Sequence, residues 1–509
     1  MLSLKTLPRT LSAISIVLLA ACSGGRTVTP QLPGTGVQLS STGVMAENAN
    51  PCPTILVISP PLAIRDLGQR VDLTDALEVR HPWLYGFCKV VSETHPPAEW
   101  SKTGGSLHVM NGGRRAIFFD PKSGFYSVSA RAGTYRAEST VVVQPDNEWV
   151  LATDAQSPNG SLLLGGDGAL YGVSYSGGAP NCQCGYVFKL ARGTSTTQTI
   201  YSFHSMSTGF FPAGALIADK KGNLFGTTIE GGIIGPRGSF CCGTVYELER
   251  SGAEYKEHVI YRFRNAKTGT APYAGVVADR DGALYGTTSD GVVFKLTPSG
   301  SSYAYSRLYR FRTKTGNASL AGLALSSKGV VYGTMPGVGP CSCGIAFELV
   351  PDGTAYSEKT IYTFNGGADG YDPNEIIASN TGKLFGTTAS GGLRNPPGNG
   401  TVFELTPSGA RFTKRTLYRF SGGADGADPV GVTLGLHGVI YGAAFGGGVG
   451  RGTIFALTPR GTTYGERTVH VFGETGDGAL PIAPLISDAM GALYGVTYYQ
   501  APSVFKVKP

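Results

Sequence analysis

Leu170-Tyr171-Gly172, Leu224-Phe225-Gly226, Leu284-Tyr285-Gly286, Val331-Tyr332-Gly333, Leu384-Phe385-Gly386, Ile440-Tyr441-Gly442 and Leu493-Tyr494-Gly495 are seven versions of one phrase, recurring every 47 to 60 residues. A second phrase follows each copy: Val187-Phe188-Lys189-Leu190, Val245-Tyr246-Glu247-Leu248, and counterparts at 293–296, 346–349, 402–405, 454–457 and 504–507. A third follows six of them, beginning with Ile200-Tyr201-Ser202-Phe203 and recurring at 260–263, 308–311, 361–364, 417–420 and 469–472. A fourth apolar run precedes each first phrase, as at 215–218 and 275–278, set off by turn dipeptides such as Asp281-Gly282. Short apolar runs bounded by Gly, Asp, Asn and Pro read as strands, so each unit holds four, here called a to d. Four-stranded antiparallel units repeating about every 50 residues are the propeller pattern. The sequence ends just after strand c of the seventh unit. Residues 149–153, before the first unit, can supply the missing strand d, which would close the ring and leave no sheet edge exposed. The expected fold is all-β: a seven-bladed β-propeller of four-stranded blades, the last one closed by an N-terminal strand.

The phrases Asp281-Gly282-Ala283-Leu284-Tyr285-Gly286-Thr287-Thr288, Gly400-Thr401-Val402-Phe403-Glu404-Leu405-Thr406-Pro407 and Tyr418-Arg419-Phe420-Ser421-Gly422-Gly423-Ala424-Asp425-Gly426 resemble the GloVer tandem repeat of bacterial choice-of-anchor proteins. The resemblance runs over roughly 160–509. Units three, four and seven depart most: a short b–c loop, no Thr-Thr pair and no Gly-Gly, respectively. The resemblance implies a surface or envelope protein with a variable anchor. It carries no activity, ligand or catalytic residue to transfer.

The N-terminus points to the same compartment. Lys5 and Arg9 precede an apolar stretch, 11–21, of signal-peptide length and too short to span a bilayer. It ends Leu19-Ala20-Ala21-Cys22, which resembles the lipobox of bacterial lipoproteins: cleavage before Cys22 and lipidation of its sulfur are expected. Acyl chains on one cysteine anchor stably, at about 0.8 kcal/mol per buried CH₂. Ser23, in place of Asp, favours the outer membrane by the same resemblance. Residues 22–50, rich in Gly, Ser, Thr and Pro, read as a flexible tether. Residues 51–146 lack the repeat. Strand-like runs at 54–59, 87–92, 106–110, 116–119, 126–130 and 139–144 suit a small Ig-like β-sandwich, with 147–509 left for the propeller.

Charged residues are only 15% of the chain, and the net charge of +7 is thinly spread. No Lys/Arg stripe marks a nucleic-acid interface. Nine cysteines less the lipidated one leave eight, an even count that suits disulfides in an oxidising compartment. Cys52 and Cys88 are expected to pair. Cys182/Cys184, Cys241/Cys242 and Cys341/Cys343 stand just before strand c in units one, two and four. Three readings stay open for them: local disulfides, a cross-link between units one and two, or free thiols for a soft metal.

In a propeller the b–c and d–a loops share one face, and binding residues favour loops on a rigid scaffold. The candidate binding residues there are Phe240, Asp369, Tyr371, Asp372, Asp425 and Asp428, with Phe210, Phe211 and Tyr498 as further aromatics; the aromatics could stack on sugars, but blade packing is their preferred reading. The pairs Asp369/Asp372 and Asp425/Asp428 could ligate Ca²⁺, but their spacing is not a Ca²⁺ loop and turn capping is the preferred reading. The seven histidines are scattered. No catalytic constellation, cofactor motif or metal set is read, so no cofactor is expected. The expected partners are a membrane, through the lipid, and a protein or glycan, on a monomer. A sugar-cleaving or quinoprotein enzyme and a plain spacer are the rival readings.

Overall fold

The computed structural model describes residues 54–508, apart from 60–61, 67–70, 84–86, 94–98, 104–105, 111–114, 120–123, 133–134, 145–149, 153, 180–181, 235–239, 266, 312–320, 354, 393–397, 410, 474–477 and 500–501. In the strands before 152 mostly the backbone is described. Cys22, the tether and Cys52 lie outside the described residues, as do the side chains of Cys88 and Phe240.

Each repeated phrase forms a strand of a four-stranded antiparallel sheet, and seven such sheets follow one another as the blades of a propeller. Blade 2 serves as the pattern: strand a is Phe210–Ala218, b Leu224–Ile234, c Phe240–Ser251 and d Glu254–Arg262. In blade 7, Leu493–Tyr499 is strand b and Val504–Val507 strand c; Val150–Ala152 pairs antiparallel with the latter.

The phrase endings have packing reasons. The Gly of each first phrase lies in register with the aromatic at the centre of strand c: Gly172 with Phe188, Gly226 with Tyr246, Gly286 with Phe294, and likewise around the ring. A methyl on any of these glycines would overlap that ring. The aromatic lies across the glycine and fills the space its missing side chain leaves. A second aromatic then crosses to the next blade. Phe203, Phe263, Phe311, Phe364, Phe420 and Phe472, each just after strand d, pack edge-on or tilted on the strand-c ring of the following blade, with centroids 4.5–5.2 Å apart. Between blades 7 and 1 the small residues Ala152 and Ala155 pack in the cluster around Phe188 instead.

Thr-Thr also has a job in each position. The first hydroxyl reaches the inner strand of the next blade: Thr227 donates to Ala274 O (3.0 Å), Thr334 to Asn374 O (2.7 Å) and Thr387 to Pro429 O (3.0 Å). The second bonds a threonine of strand c, as Thr228 does with Thr244 (2.8 Å) and Thr388 with Thr401 (2.9 Å). Buried hydroxyls are tolerable because each is paired.

Before the propeller the strands form two sheets. One joins Thr54–Ser59, Val71–Trp83, Phe87–Glu93, Ser106–Met110 and Arg115–Phe119; the other joins Leu62–Asp66, Glu99–Lys102, Gly124–Ala132 and Tyr135–Gln144. Three of these, Leu62–Asp66, Val71–Trp83 and Glu99–Lys102, are absent from the sequence expectation. Val71–Trp83 alternates apolar and polar residues, which is itself the signal of a half-buried strand, so this element was legible and was passed over. Leu62–Asp66 pairs in parallel with residues far along the chain, which no local pattern announces.

Candidate functional site

The acidic pairs expected on the d–a loops separate. Asp369 accepts from the Tyr362 hydroxyl (3.0 Å), the Asn365 backbone N–H (2.9 Å) and Lys414 Nζ (2.7 Å). Asp425, buried, accepts from the Tyr418 hydroxyl (2.9 Å) and from the Ser421 N–H (2.7 Å) and hydroxyl (2.6 Å). Both carboxylates therefore hold their turns together, the capping role favoured for Asp in such loops. Tyr371 packs on the core shared by blades 4 and 5.

The position four residues into strand d sets how each loop is held. In blade 5 it is Lys414, whose desolvated ammonium is lowered from its usual range and is held by Asp369. In blade 6 it is Glu466, pushed up to about 7 by burial, with the nearby Asp425 adding to the shift. A carboxyl raised in the fold contributes stability below its unfolded value, and that stability is lost as pH rises through about 7. Glu466→Lys should place a cation against Asp425, as Lys414 stands against Asp369. The expected result is a gain on the order of 1 kcal/mol at pH 8, discounted for partial exposure, measured by thermal melts at pH 5 and pH 8. A melting temperature unchanged or lower at pH 8 would refute the equivalence.

Asp372 and Asp428 take a different route. Each precedes a proline, Pro373 or Pro429, at the start of an inner strand, Tyr371–Ala378 or Ala427–Leu434. They therefore lie in strands rather than in the loops where the sequence reading put them. Both have φ just above +50°. The same pre-proline residue is Phe211 in blade 2, Ala271 in blade 3 and Leu480 in blade 7, all at positive φ. The backbone N–H in each case bonds a carbonyl of the preceding blade: Phe211 to Cys184 O (2.8 Å), Ala271 to Cys242 O (2.7 Å), Asp372 to Cys343 O (3.0 Å), Asp428 to Asn399 O (3.0 Å) and Leu480 to Arg451 O (2.7 Å). This handover sets one residue in each of blades 2, 3, 5, 6 and 7 at an equivalent place, where the loop face meets the inner strand.

Two groups lie on different blades there. On blades 5 and 6, Asp372 and Asp428 are neighbours; burial, and then the charge of Asp372, push the Asp428 carboxyl up to about 7. In the other group, Phe211 stacks on Tyr175 (4.7 Å, 11°). Glu230, Tyr273 and Tyr498 lie close to Tyr175, whose hydroxyl burial pushes up to about 12. Desolvation raises Glu230 above the ordinary carboxylate range. Tyr175, Phe211, Tyr273 and Tyr498 are all half-buried and keep surface there.

Residues 115–292 and 288–504 match the model of the Gloeobacter/Verrucomicrobia repeat. The chain belongs to that family. Among curated proteins none matches it. Solved structures similar to this member of the repeat family include a protein of unknown function from Dyadobacter fermentans DSM 18053, 13% identical, covering 64% of this chain and 95% of that one, with a TM-score of 0.34. A prolyl endopeptidase from a study of two such enzymes is 11% identical, covering 78% of this chain and 54% of that one, also with a TM-score of 0.34.

In the repeats of blades 1, 2 and 4 the paired cysteines lie together within their own loops, with Cα separations of 5.0 Å for Cys182/Cys184, 3.3 Å for Cys241/Cys242 and 5.2 Å for Cys341/Cys343. Cys184, Cys242 and Cys343 are buried at the handover carbonyl. The blade 2 loop that holds Cys241 is largely strand: Gly232, Ile233 and Ile234 pair with Cys242, Cys241 and Phe240. No group of three or more His, Cys, Asp or Glu among the described residues is placed to hold a metal ion.

One residue of the inner strands escaped the sequence reading. The triplets Ala274-Gly275-Val276, Ala321-Gly322-Leu323 and Asn374-Glu375-Ile376 are equivalent, because the first carbonyl of each accepts the hydroxyl of the preceding blade's strand-b threonine. Glu375 thus stands where blades 3 and 4 have a glycine and blade 6 has Val430, its carboxylate against Gly322. The signal in the sequence is an acid at a position that is glycine or apolar in the aligned blades. Burial raises this carboxyl above its ordinary range.

Proposed function

We propose that the protein is an envelope lipoprotein, anchored through Cys22 to the outer membrane, whose propeller binds a protein or glycan at the channel mouth without catalysis. The observation that supports this reading is the aromatic arc of Tyr175, Phe211, Tyr273 and Tyr498 together with a carboxylate pair on one end of a rigid ring. Aromatic side chains give large contact area at low entropic cost and stack on flat apolar faces. In this reading the two N-terminal sheets form an Ig-like stalk, residues 22–50 tether it, and Val150–Ala152 closes the last blade. The cysteine pairs form disulfides that pin the handover loops, as suits an oxidising compartment.

The test is capture from envelope extract and on a glycan panel by the full chain in detergent, beside Tyr175→Ala and Phe211→Ala. Central aromatic anchors typically contribute about 2 kcal/mol or more to binding, so each substitution should weaken capture by about tenfold or more. Capture that survives both substitutions would place the site elsewhere. Capture by no form would favour the spacer reading.

A further inference from the structure

The stretches that open and form the inner strands, 157–163, 211–217, 271–277, 321–325, 372–378, 428–434 and 480–486, hold three acids and no base. The chain as a whole carries 42 Lys and Arg against 35 Asp and Glu. The three acids are Asp372, Glu375 and Asp428, all on blades 5 and 6. Asp428 and Glu375 have no side-chain partner among the described residues, and protein surrounds both. Both nevertheless keep some surface open. A half-buried carboxylate with no countercharge carries part of its desolvation cost, which an entering cation would offset. Here the pairing is left for something that enters.

We propose that the channel mouth receives the cationic end of a basic peptide side chain, a lysine ammonium or arginine guanidinium, seated between Asp372 and Asp428 with its apolar stem against the aromatic arc. This rests on the binding reading above and names its ligand chemistry. A hard metal ion fits less well. Ca²⁺ takes six to eight oxygens, and no third acidic or His/Cys side chain among the described residues joins the two aspartates to make a metal site. The aromatic side of the mouth would also do nothing for a bare ion, whereas it attracts an organic cation and covers its stem. Glu375 lies three residues further along strand a than Asp372, about 10 Å at the rise of an extended chain. That spacing matches a second cation three residues on in a polyproline-II peptide, where residues i and i+3 share a face about 9 Å apart. An amino sugar chain holds its charges on rigid rings and is the less suitable occupant.

The experiment uses the full chain in detergent and three labelled probes, read by fluorescence anisotropy. They are a peptide with Lys at every third position, the same peptide with Glu for Lys, and a glucosamine hexamer. The expected result is binding of the Lys peptide alone. It should weaken at least tenfold in the double variant Asp372→Asn/Asp428→Asn, and less in Glu375→Gln. The isosteric amides keep the handover bonds, which are made by the backbone, and thermal melts confirm that the variants are folded. Unchanged Lys-peptide binding in the double variant, or tighter binding of the Glu peptide, would overturn the proposal. Binding of the glucosamine hexamer in place of the Lys peptide would overturn its assignment to a peptide. If the Lys peptide fails while the Tyr175- and Phe211-dependent capture described above succeeds, the cation inference falls and the binding reading stands. If both fail, both fall.

Discussion

Asp369→Ala is expected to destabilise the propeller by about 3–5 kcal/mol, the cost typical of removing one partner from a buried ion pair. The reason lies with the group left behind. The Lys414 side chain is only 2% exposed. Its three donors are matched by three acceptors: Asp369 Oδ1 (2.7 Å), Asp369 O (2.7 Å) and Thr416 Oγ1 (3.2 Å). The rings of Tyr362, Phe364 and Phe403 surround it at 5.4–5.8 Å. Removing the carboxylate leaves an ammonium that cannot reach water. Lys414→Met removes the charge and keeps an unbranched apolar stem. The double variant should therefore cost far less than the two single costs added together. Urea titration of the four proteins measures this. A strictly additive double variant would mean that Lys414 finds other solvation. The pH dependence has a definite sign. Although burial opposes it, Lys414 and the other donors hold the Asp369 carboxyl below its usual range. Its contribution is therefore present above the unfolded value of about 3.9 and lost as pH falls through the lower folded one. The gap between wild type and Asp369→Ala should be full at pH 7 and shrink under strong acid.

The same residues show what a sequence can and cannot disclose. The blade count was readable because each repeated phrase answers a local packing demand that recurs seven times, such as the glycine under the strand-c ring. For Asp369 and Asp425 turn capping was the preferred reading, and such a role is legible in sequence because a capping Asp bonds groups a few residues away. Asp372 and Asp428 looked like their partners in the same loops, three residues on. Pairing Asp372 with Asp428 required knowing that the pre-proline residues of five blades occupy equivalent places in the ring, a relation between residues about fifty positions apart. The aromatic arc was half visible: Phe211 and Tyr498 were named as loop aromatics, whereas Tyr175 and Tyr273 were not singled out. Glu375 was hidden by its neighbours, because a single Glu before Ile-Ile reads as the polar edge of a strand until its column is aligned. Where function departs from the repeat, the repeat itself gives the only clue, and that clue is a substitution rather than a motif.

The second large effect is expected at the ring-on-glycine contact. Phe294→Ala should cost about 3–5 kcal/mol, as for other fully buried aromatics cut to alanine. Phe294 is completely buried. It covers Gly286, receives the edge of Phe263 from blade 2 at 5.1 Å, and lies 6.4 Å from the Tyr305 ring. Gly286→Ala should cost about 1–3 kcal/mol, by overpacking. The φ of Gly286 is an ordinary one, so space alone forbids the methyl group, and all three nearest atoms belong to the Phe294 ring, the closest at 2.5 Å. With the ring gone, the methyl has room and fills part of the cavity. Gly286→Ala should then be harmless or mildly stabilising in the Phe294→Ala background, giving a coupling energy of about 1–3 kcal/mol. Equilibrium unfolding of the four proteins measures it. Additive costs would mean that the glycine is required by its backbone, and the account of why this phrase ends in Gly in all seven blades would fail.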